Sequence, residues 1–369
     1  MKFTANQADL RKALSLVSHA VPSKSTLPIL QNILVSTDKN NTVRLTATNL
    51  ELAMTCWIPA NIASEGSITI PGKMLTDLIS NLPSEPVVMS ADTHMVSIQC
   101  AKFNTTMSGI LAEEYPSIPT VDNNTSATFN RETLITVVSR VVVAAAQDDT
   151  RPVLTSLRWL INGTSVDLCA ADGFRLARNT FEALTNPLEQ SVEVLIPART
   201  MAELVRLLTA DKENDTVSFS ANSNVAMFRT PTFELVSRLV DGKFPDIVRV
   251  IPTEHKGRTV IETTALSRAV KLSSLMNNLS IRMTFDEPGV YITSGGSQVG
   301  TGTAEVPAMH HGEKTNIALN VKYLQEALDS MSRTGISISI STVNETSPAV
   351  LRIVGVEDFT HVIMPMSVR

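Results

Sequence analysis

A threefold internal repeat is the feature of this sequence that most constrains its fold. The segment IPGKMLTDLI starts at residue 70, a clear echo (IPARTMAELV) starts at residue 196, and a fainter copy (LNVKYLQEAL) starts at residue 319. Other segment pairs keep the same spacing, which chance likeness among apolar segments does not explain. The repeat predicts three tandem domains of ordinary size, at residues 1–121, 122–252 and 253–369.

Each repeat unit has the pattern of two helices and several antiparallel strands. In the second unit a helix is predicted to start at Pro197, and Met201, Leu204, Val205 and Leu208 then follow at helical spacing. The other predicted helices cover residues 8–18, 72–80, 131–143, 264–275 and 320–331. Alternating apolar and polar residues predict strands at 87–90, 216–220 and 336–341. The predicted fold class is α+β, with three tandem copies of a two-helix, antiparallel-sheet domain.

The charges of the chain are divided unevenly between the helices and the rest. The six predicted helices hold ten basic and six acidic residues, a net charge of +4, which leaves −9 for the remainder of a chain whose net charge is −5. Basic residues spread over six helices predict a diffuse attraction for phosphate, without base-reading contacts. The alternative remains open that amphipathic helices carry Lys and Arg simply because one face is solvated.

Catalytic and metal-binding signatures are absent from the sequence. Cys56, Cys100 and Cys169 are far apart and are predicted to be buried free thiols in a reducing cytosol. No metal and no cofactor is expected. Neither a signal peptide nor a membrane-spanning segment is visible, so a cytoplasmic protein is expected.

Three further segments have simple interpretations. The glycine-rich segment 295–302 is predicted to form a flexible hairpin, since it lacks the Lys-Ser/Thr of a phosphate loop. The adjacent His310 and His311 are predicted to lie in a polar turn. Asp148 and Asp149 leave open a metal-dependent nuclease, because two-metal sites need clustered carboxylates.

Several short segments resemble one protein family, the beta subunit of bacterial DNA polymerase III, which is the bacterial sliding clamp. They are MKFT at 1–4, TLPIL at 26–30, ADGFRLA at 171–177, LVDGKFPD at 239–246 and MPM at 364–366. Their order matches the family across the whole chain. The resemblance implies a non-catalytic processivity factor, a head-to-tail homodimer whose ring encircles duplex DNA. It also implies a peptide-binding cleft that tethers replicative and repair polymerases, and loading by a clamp loader.

The resemblance also assigns candidate site residues by position. For DNA they are Lys24, Lys73, Gln147 and Arg199, beside Asp148, which would not attract phosphate. For the partner-peptide cleft they are Leu154, Ala171, Gly173, Phe174, Arg175, Leu176, Pro245, Arg249, Val250, Asn320, Tyr323, Val362, Ile363, Met364, Pro365 and Met366. For the dimer interface they are Phe103, Met107 and Leu272.

The cleft assignment has a physical basis and one notable departure. Apolar side chains with flexible methionines suit a groove that accepts varied peptides, and Arg175 and Arg249 are expected to orient a peptide backbone or acidic group. Phe174 stands where the family usually has His, which predicts an altered peptide preference. Two other functions remain open on the residues alone, namely the nuclease and a peptide-binding scaffold without a DNA role.

Overall fold

The computed structural model describes residues 1–38, 40–121, 126–184, 191–276, 279–296, 300–332 and 337–367. The α-helices of these residues are α1 (Gln7–Val17), α2 (Gly72–Asn81), α3 (Arg131–Val142), α4 (Ala198–Ala210), α5 (Thr263–Ser274) and α6 (Val321–Met331). Short 3-10 turns cover Ser18–Ala20, Pro28–Gln31, Ala112–Glu114, Pro152–Thr155 and Val248–Val250.

The strands are numbered in chain order. Those before α4 are β1 (Lys2–Asn6), β2 (Asn32–Asp38), β3 (Thr42–Thr48), β4 (Leu52–Ser64), β5 (Ser67–Pro71), β6 (Pro86–Ala91), β7 (Met95–Cys100), β8 (Phe103–Ser108), β9 (Ile110–Leu111), β10 (Ser126–Asn130), β11 (Ser156–Asn162), β12 (Ser165–Ala171), β13 (Arg175–Glu182) and β14 (Val192–Pro197). Those after it are β15 (Thr216–Ala221), β16 (Val225–Arg229), β17 (Phe233–Arg238), β18 (Gly257–Glu262), β19 (Ser280–Asp286), β20 (Gly289–Gly296), β21 (Gly300–Gly312), β22 (Thr315–Asn320), β23 (Ser337–Thr342), β24 (Ala349–Ile353) and β25 (Phe359–Ile363).

All six predicted helices are confirmed, with ends shifted by no more than a few residues. Each follows directly on a strand, so the repeated unit is a strand that turns into a helix. Local caps set several starts: Asn6 accepts a hydrogen bond from the Ala8 N–H, Glu262 from the N–H groups of Thr264 and Ala265, and Asn320 from the Tyr323 N–H. The predicted strands at 87–90 and 216–220 lie within β6 and β15. The third, at 336–341, is β23, although Ile336 lies outside the described residues.

The described chain divides into two compact units, and the middle predicted domain contributes residues to both. The first unit contains residues 1–132 and 203–239. Its 13-stranded antiparallel sheet runs β10-β15-β16-β17-β4-β1-β6-β7-β8, with β2, β3, β5 and β9 off this path. Helices α1 and α2 pack against each other, and α1 also packs on β3 and β4. Fully buried aromatic side chains such as Phe3 and Phe219 fill the core of this unit.

The second unit contains residues 133–202 and 240–369, of which 368 and 369 lie outside the described residues. Its 12-stranded sheet runs β14-β11-β12-β13-β25-β24-β23-β18-β21-β20-β19-β22. The β13–β25 pair joins strands that are far apart in sequence, with Leu176 opposite Val362. Helices α5 and α6 pack against each other, and Trp159, Phe285 and Phe359 are fully buried. The order of these strands places the 171–176 segment beside the C-terminal strand.

The prediction for His310 is wrong, and two of the ten basic helix residues are buried. His310 does not lie in a turn: it is buried on β21, where its Nδ1 is 2.9 Å from Thr259 Oγ1 and its Nε2 is 3.2 Å from the Glu313 carbonyl oxygen. The positive charge that the six helices expose to solvent is therefore lower than the count of ten basic residues suggests. Arg131 is buried and pairs with Glu132 at 2.6 Å, and Arg140 is buried over the Phe359 ring.

The predictions for the cysteines and for the glycine-rich hairpin agree with the structure. Cys56, Cys100 and Cys169 are free and buried, and burial raises the pKa of the Cys56 and Cys169 thiols to about 12. The glycine-rich segment forms a hairpin in which β20 pairs with β21 as far as Gly296 and Gly300, and residues 297–299 lie outside the described residues. No described helix is both long and apolar enough to cross a membrane.

Candidate functional site

An apolar cluster in the second unit brings together four of the residues predicted for the peptide cleft. Leu154, Ala171, Leu176 and Val362 are all buried in it. The remaining buried members are Cys169, Leu195, Phe244, Ile247 and Val350. Sequence reasoning did not select Phe244 and Ile247, although Phe244 belongs to the LVDGKFPD segment that was recognised. The floor of the candidate cleft is therefore a packed core between the sheet of the second unit and the linker, residues 240–251, that follows β17.

The rim of this cluster is exposed and apolar. The Phe174 side chain is 60% exposed, and Val250 is 46% exposed in the linker that follows Ile247. Met364 donates its N–H to the Phe174 carbonyl oxygen at 2.8 Å, and Met366 donates to that of Ala318 at 2.8 Å. Those bonds hold the partly buried C-terminal segment 364–366 beside the 171–176 turn. Exposed apolar side chains around a rigid apolar floor can bind hydrophobic anchors of a peptide.

The 171–176 turn has a locally determined shape. Asp172 Oδ1 accepts hydrogen bonds from the N–H groups of Phe174 and Arg175, at 2.8 and 2.9 Å. Gly173 has φ +93, a conformation that favours glycine. The turn therefore fixes the direction of the exposed Phe174 ring.

Arg175 does not have the predicted role of contacting a peptide, because its side chain is only 2% exposed. Its Nε is 3.0 Å from Asp172 Oδ2, and its Nη1 is 2.5 Å from Glu326 Oε2 on α6. The guanidinium also lies over the Tyr323 ring, 4.3 Å from its centroid. Burial is the main cause that raises the pKa of the Tyr323 phenol. Arg175 thus ties the turn to α6 and positions Tyr323.

The remaining predicted cleft residues differ in what they can contact. Pro245 and Arg249 are exposed, and Arg249 Nε pairs with Asp246 Oδ2 at 2.9 Å, so Arg249 remains accessible to a ligand. Asn320 is partly buried and caps α6. Ile363 is fully buried and is not a member of the apolar cluster that contains its neighbour Val362, as expected for successive residues of a strand, which point to opposite faces.

The residues predicted to attract DNA are accessible. Lys24, Lys73, Gln147 and Arg199 are all exposed, and Gln147 accepts a hydrogen bond from Lys322 Nζ at 3.1 Å. Seven basic helix residues are exposed, namely Arg11, Lys12, Lys73, Arg199, Arg268, Lys271 and Lys322. Only Lys12 and Lys322 of these form an ion pair with a described residue. Exposed, mostly unpaired cations suit loose attraction to a phosphate backbone.

Asp148 and Asp149 are exposed, as a nuclease site would require. A hydrogen bond from the Thr150 hydroxyl is the main cause that lowers the pKa of the Asp148 carboxyl, so Asp148 is anionic at neutral pH. Within the described residues no group of three or more His, Cys, Asp or Glu side chains could hold a metal ion. Asp148 therefore works against phosphate binding at this position.

The predicted dimer residues fall into two groups. Phe103 is 45% exposed on β8, the last strand of the sheet in the first unit. Met107 on the same strand is buried within its own chain and offers little surface to a partner. Leu272 is 60% exposed on α5 and is followed by exposed Leu275, Met276 and Leu279. Sequence reasoning missed these last three, although apolar residues at the end of an amphipathic helix were visible.

Six strand-to-helix repeats, large antiparallel sheets and a buried apolar cluster beside the C-terminal strand are features of the class of three-domain DNA clamps. The family "DNA polymerase III beta subunit" matches through its N-terminal domain at residues 1–119, its central domain at 128–246 and its C-terminal domain at 248–367. A "Beta sliding clamp" of Synechococcus elongatus is 30% identical over 380 residues, covering 100% of both chains, and one of Synechocystis sp. is 30% identical with 99% of each covered. The chain belongs to the beta sliding clamp family.

Solved structures show the same fold over the full length. The DNA polymerase sliding clamp from Bacillus subtilis has a TM-score of 0.94 at 24% identity, with 100% of both chains covered. A clamp from Pseudomonas aeruginosa bound to griselimycin has a TM-score of 0.93 at 25% identity, also with 100% coverage. The function of the family is that of a DNA sliding clamp in replication, a non-catalytic subunit of the polymerase holoenzyme. Membership implies interaction with DNA, with polymerases and the clamp loader, and dimerisation.

Proposed function

We propose that two copies of this chain close head to tail into a ring around duplex DNA, and that polymerases attach through the cleft beside the C-terminal strand. The observation that supports this most directly is the set of exposed basic side chains on the helices of an otherwise acidic chain. Such a surface attracts the backbone of any sequence weakly, and a closed ring then remains on DNA by topology. The clamp loader opens the ring, and the chain acts in the cytoplasm.

The test of this function is primer extension on a long single-stranded circular template, with a clamp loader and a polymerase that carries a clamp-binding peptide. Products should become much longer when the chain is present, at a polymerase concentration too low to rebind after release. Product lengths unchanged by the chain would refute the proposal. A variant with Lys73, Arg199 and Arg268 changed to Gln should lose stimulation as salt rises, since fewer phosphate contacts remain. If its stimulation equals that of the unchanged chain at every salt concentration, the scaffold alternative gains support.

The cleft is proposed to receive short linear peptides with hydrophobic anchors. Leu154, Leu176 and Val362 supply the apolar floor, and Phe174, Met364 and neighbouring rim residues contact the peptide. Removal of residues 364–369 should abolish polymerase binding while the dimer persists. That deletion also removes two backbone hydrogen bonds and could disturb the fold, so a second variant, Phe174→Ser, leaves the backbone intact. Phe174→Ser should weaken the binding of a labelled clamp-binding peptide about tenfold. Full polymerase stimulation by both variants would exclude this cleft.

The dimer contact is proposed to join the first domain of one copy to the third domain of the other, a heterologous contact that closes. Phe103 lies on an edge strand, and Leu272, Leu275, Met276 and Leu279 form an exposed apolar patch in the second unit. Leu272→Glu should convert the dimer to monomer in light scattering, since a buried unpaired charge is costly. The control is Val354→Glu, at an exposed turn, which should leave the mass unchanged. A Leu272→Glu chain with the mass of a dimer would contradict the assignment.

A further inference from the structure

A row of arginines crosses one face of the sheet in the second unit, next to the apolar cluster of the candidate cleft, whose Val350 and Ile251 also border this row. Arg178 on β13 lies opposite Thr360 on β25. Arg352 on β24 lies opposite Ser339 on β23, and Arg258 on β18 lies opposite Ser341 on β23. Directly opposed residues of antiparallel strands share a face. The sheet order β13-β25-β24-β23-β18 therefore spaces three guanidinium groups two strands apart, with hydroxyl groups between them.

This row lines two neighbouring depressions, which we call the arginine groove. The first, of about 360 Å³, is lined by Arg178, Arg352 and Thr360 and has an apolar wall that includes Val248 and Ile251. The second, of about 460 Å³, is lined by Arg258, Arg352 and Ser339. The two share His255, Ser341 and Arg352, so they form one continuous groove.

The groove lining holds three arginine and two glutamate side chains, and of the three arginines only Arg178 has a carboxylate partner among the described residues. Arg178 uses its Nε on Asp167 Oδ1 at 2.7 Å, which leaves its terminal nitrogens for another acceptor. Arg352 is partly buried, and neither it nor Arg258 forms an ion pair with any residue that the structure describes. Glu254 and Glu357 also line the groove, one in each depression. A partly buried guanidinium without an anion is costly, and a bound carboxylate would offset that cost.

The shape and chemistry of the groove select among anionic partners. Single-stranded nucleic acid is held by aromatic stacking as well as charge, and the described lining residues include no Phe, Tyr or Trp. Strands in a sheet lie about 4.8 Å apart, so Arg178 and Arg352 are separated by roughly 10 Å, and Arg258, which is shifted by two residues along its strand, lies roughly 12 Å from Arg352. A peptide in the polyproline II conformation has three residues per turn and rises about 3.1 Å per residue, so every third side chain points to the same side at intervals of roughly 9 Å.

We infer that the arginine groove binds an acidic peptide segment, with Glu or Asp carboxylates at every third residue paired to Arg178, Arg352 and Arg258. Planar guanidinium groups match carboxylates with two parallel hydrogen bonds, and the apolar wall accommodates a neighbouring side chain. This inference does not depend on the ring or on the cleft.

The probe is a fluorescein-labelled heptapeptide, Glu-Ser-Ser-Glu-Ser-Ser-Glu with blocked ends, titrated with the full chain at low salt. Fluorescence anisotropy should report binding, and the same peptide with Gln for each Glu should not bind. Arg258→Ala with Arg352→Ala should weaken the affinity about tenfold, as expected for loss of charge-assisted hydrogen bonds. The matched control removes two exposed charges outside the groove and outside the helices, by Lys212→Ala with Arg238→Ala, and should leave the affinity within about twofold.

Three results would overturn the inference. One is an absence of binding by the unchanged chain. Another is equal weakening in the two double variants, which would mean that only net charge matters. The third is displacement of the peptide by oligothymidylate at a lower concentration than by the unlabelled peptide, which would make the groove a nucleic-acid site. Equal unfolding temperatures of both double variants establish that the fold is intact. Polymerase binding through the cleft, measured on the same proteins, separates this result from the proposed function.

Discussion

Replacing Arg175 with Met should destabilise the second unit by about 3 kcal/mol. Breaking a buried ion pair by removing one partner costs roughly 3–5 kcal/mol, because the other charge stays uncompensated. The Asp172 side chain is 10% exposed and would be left with that charge. Glu326 is 30% exposed, and Lys322 Nζ lies 3.9 Å from its carboxylate. The cost of leaving the Glu326 charge without Arg175 is therefore small, and the lower end of the range applies.

The assay uses the two tryptophans of the chain. Trp159 is fully buried in the second unit and Trp57 belongs to the first, so a Trp57→Phe background leaves fluorescence that reports only on the second unit. With a urea slope of about 3 kcal/mol per molar, the unfolding midpoint should fall by about 1 M. The matched control is Arg249→Met, whose 87% exposed side chain should cost no more than about 0.5 kcal/mol. Equal midpoints for the two variants would refute the positioning role of Arg175.

Two further predictions concern buried features of the second unit. Burial is the main cause that lowers the pKa of His361 from 6.5 to about 3, and the positive charge of Arg175 adds to it. The stability that comes from keeping His361 neutral is therefore fully present above pH 6.5 and is lost as the pH falls towards 3. Between pH 7 and pH 5 the free energy of unfolding in urea should fall by about 2 kcal/mol more for the unchanged chain than for His361→Leu. The control His94→Asn, at an exposed position, should behave like the unchanged chain. Parallel pH curves for the unchanged chain and His361→Leu would contradict this prediction. Gly242 has φ +134 and an added Cβ would lie 2.6 Å from Val153 Cγ1, so Gly242→Ala should cost about 1–3 kcal/mol. Gly355→Ala, with φ +81 and open space, should cost less in thermal unfolding, and an equal loss would show that the contact with Val153 is unimportant.

The helices could be predicted from the sequence because their signals are local. Apolar residues at helical spacing and a cap such as Asn6 or Asn320 act within a few positions of the chain. The available charge on those helices could not be predicted in the same way. Arg140 is removed from solvent by Phe359 and Asn179, which follow it by many residues, and only tertiary packing brings them together.

The candidate cleft could likewise be predicted only in part from the sequence. The recognised segments located the floor residues Leu176 and Val362, because these lie within or beside the motifs. Which neighbour belongs to the cluster depends on strand register, so the motif alone could not separate Val362, which is a member, from Ile363, which is not. The prediction for Arg175 failed for a related reason: its partner Glu326 lies on a distant helix that the motif does not contain. The arginine groove gave no sequence signal, since its three arginines come from three separate strands.

The central claim is that this chain holds DNA by topology. The measurement that tests it is retention of the labelled chain, loaded by a clamp loader onto nicked circular duplex, during gel filtration before and after the circle is cut. A ring with a loosely attractive inner surface should stay on the circle and be lost from the linear form, at salt concentrations that screen phosphate contacts. Equal loss from both forms, or equal retention on both, would contradict the account.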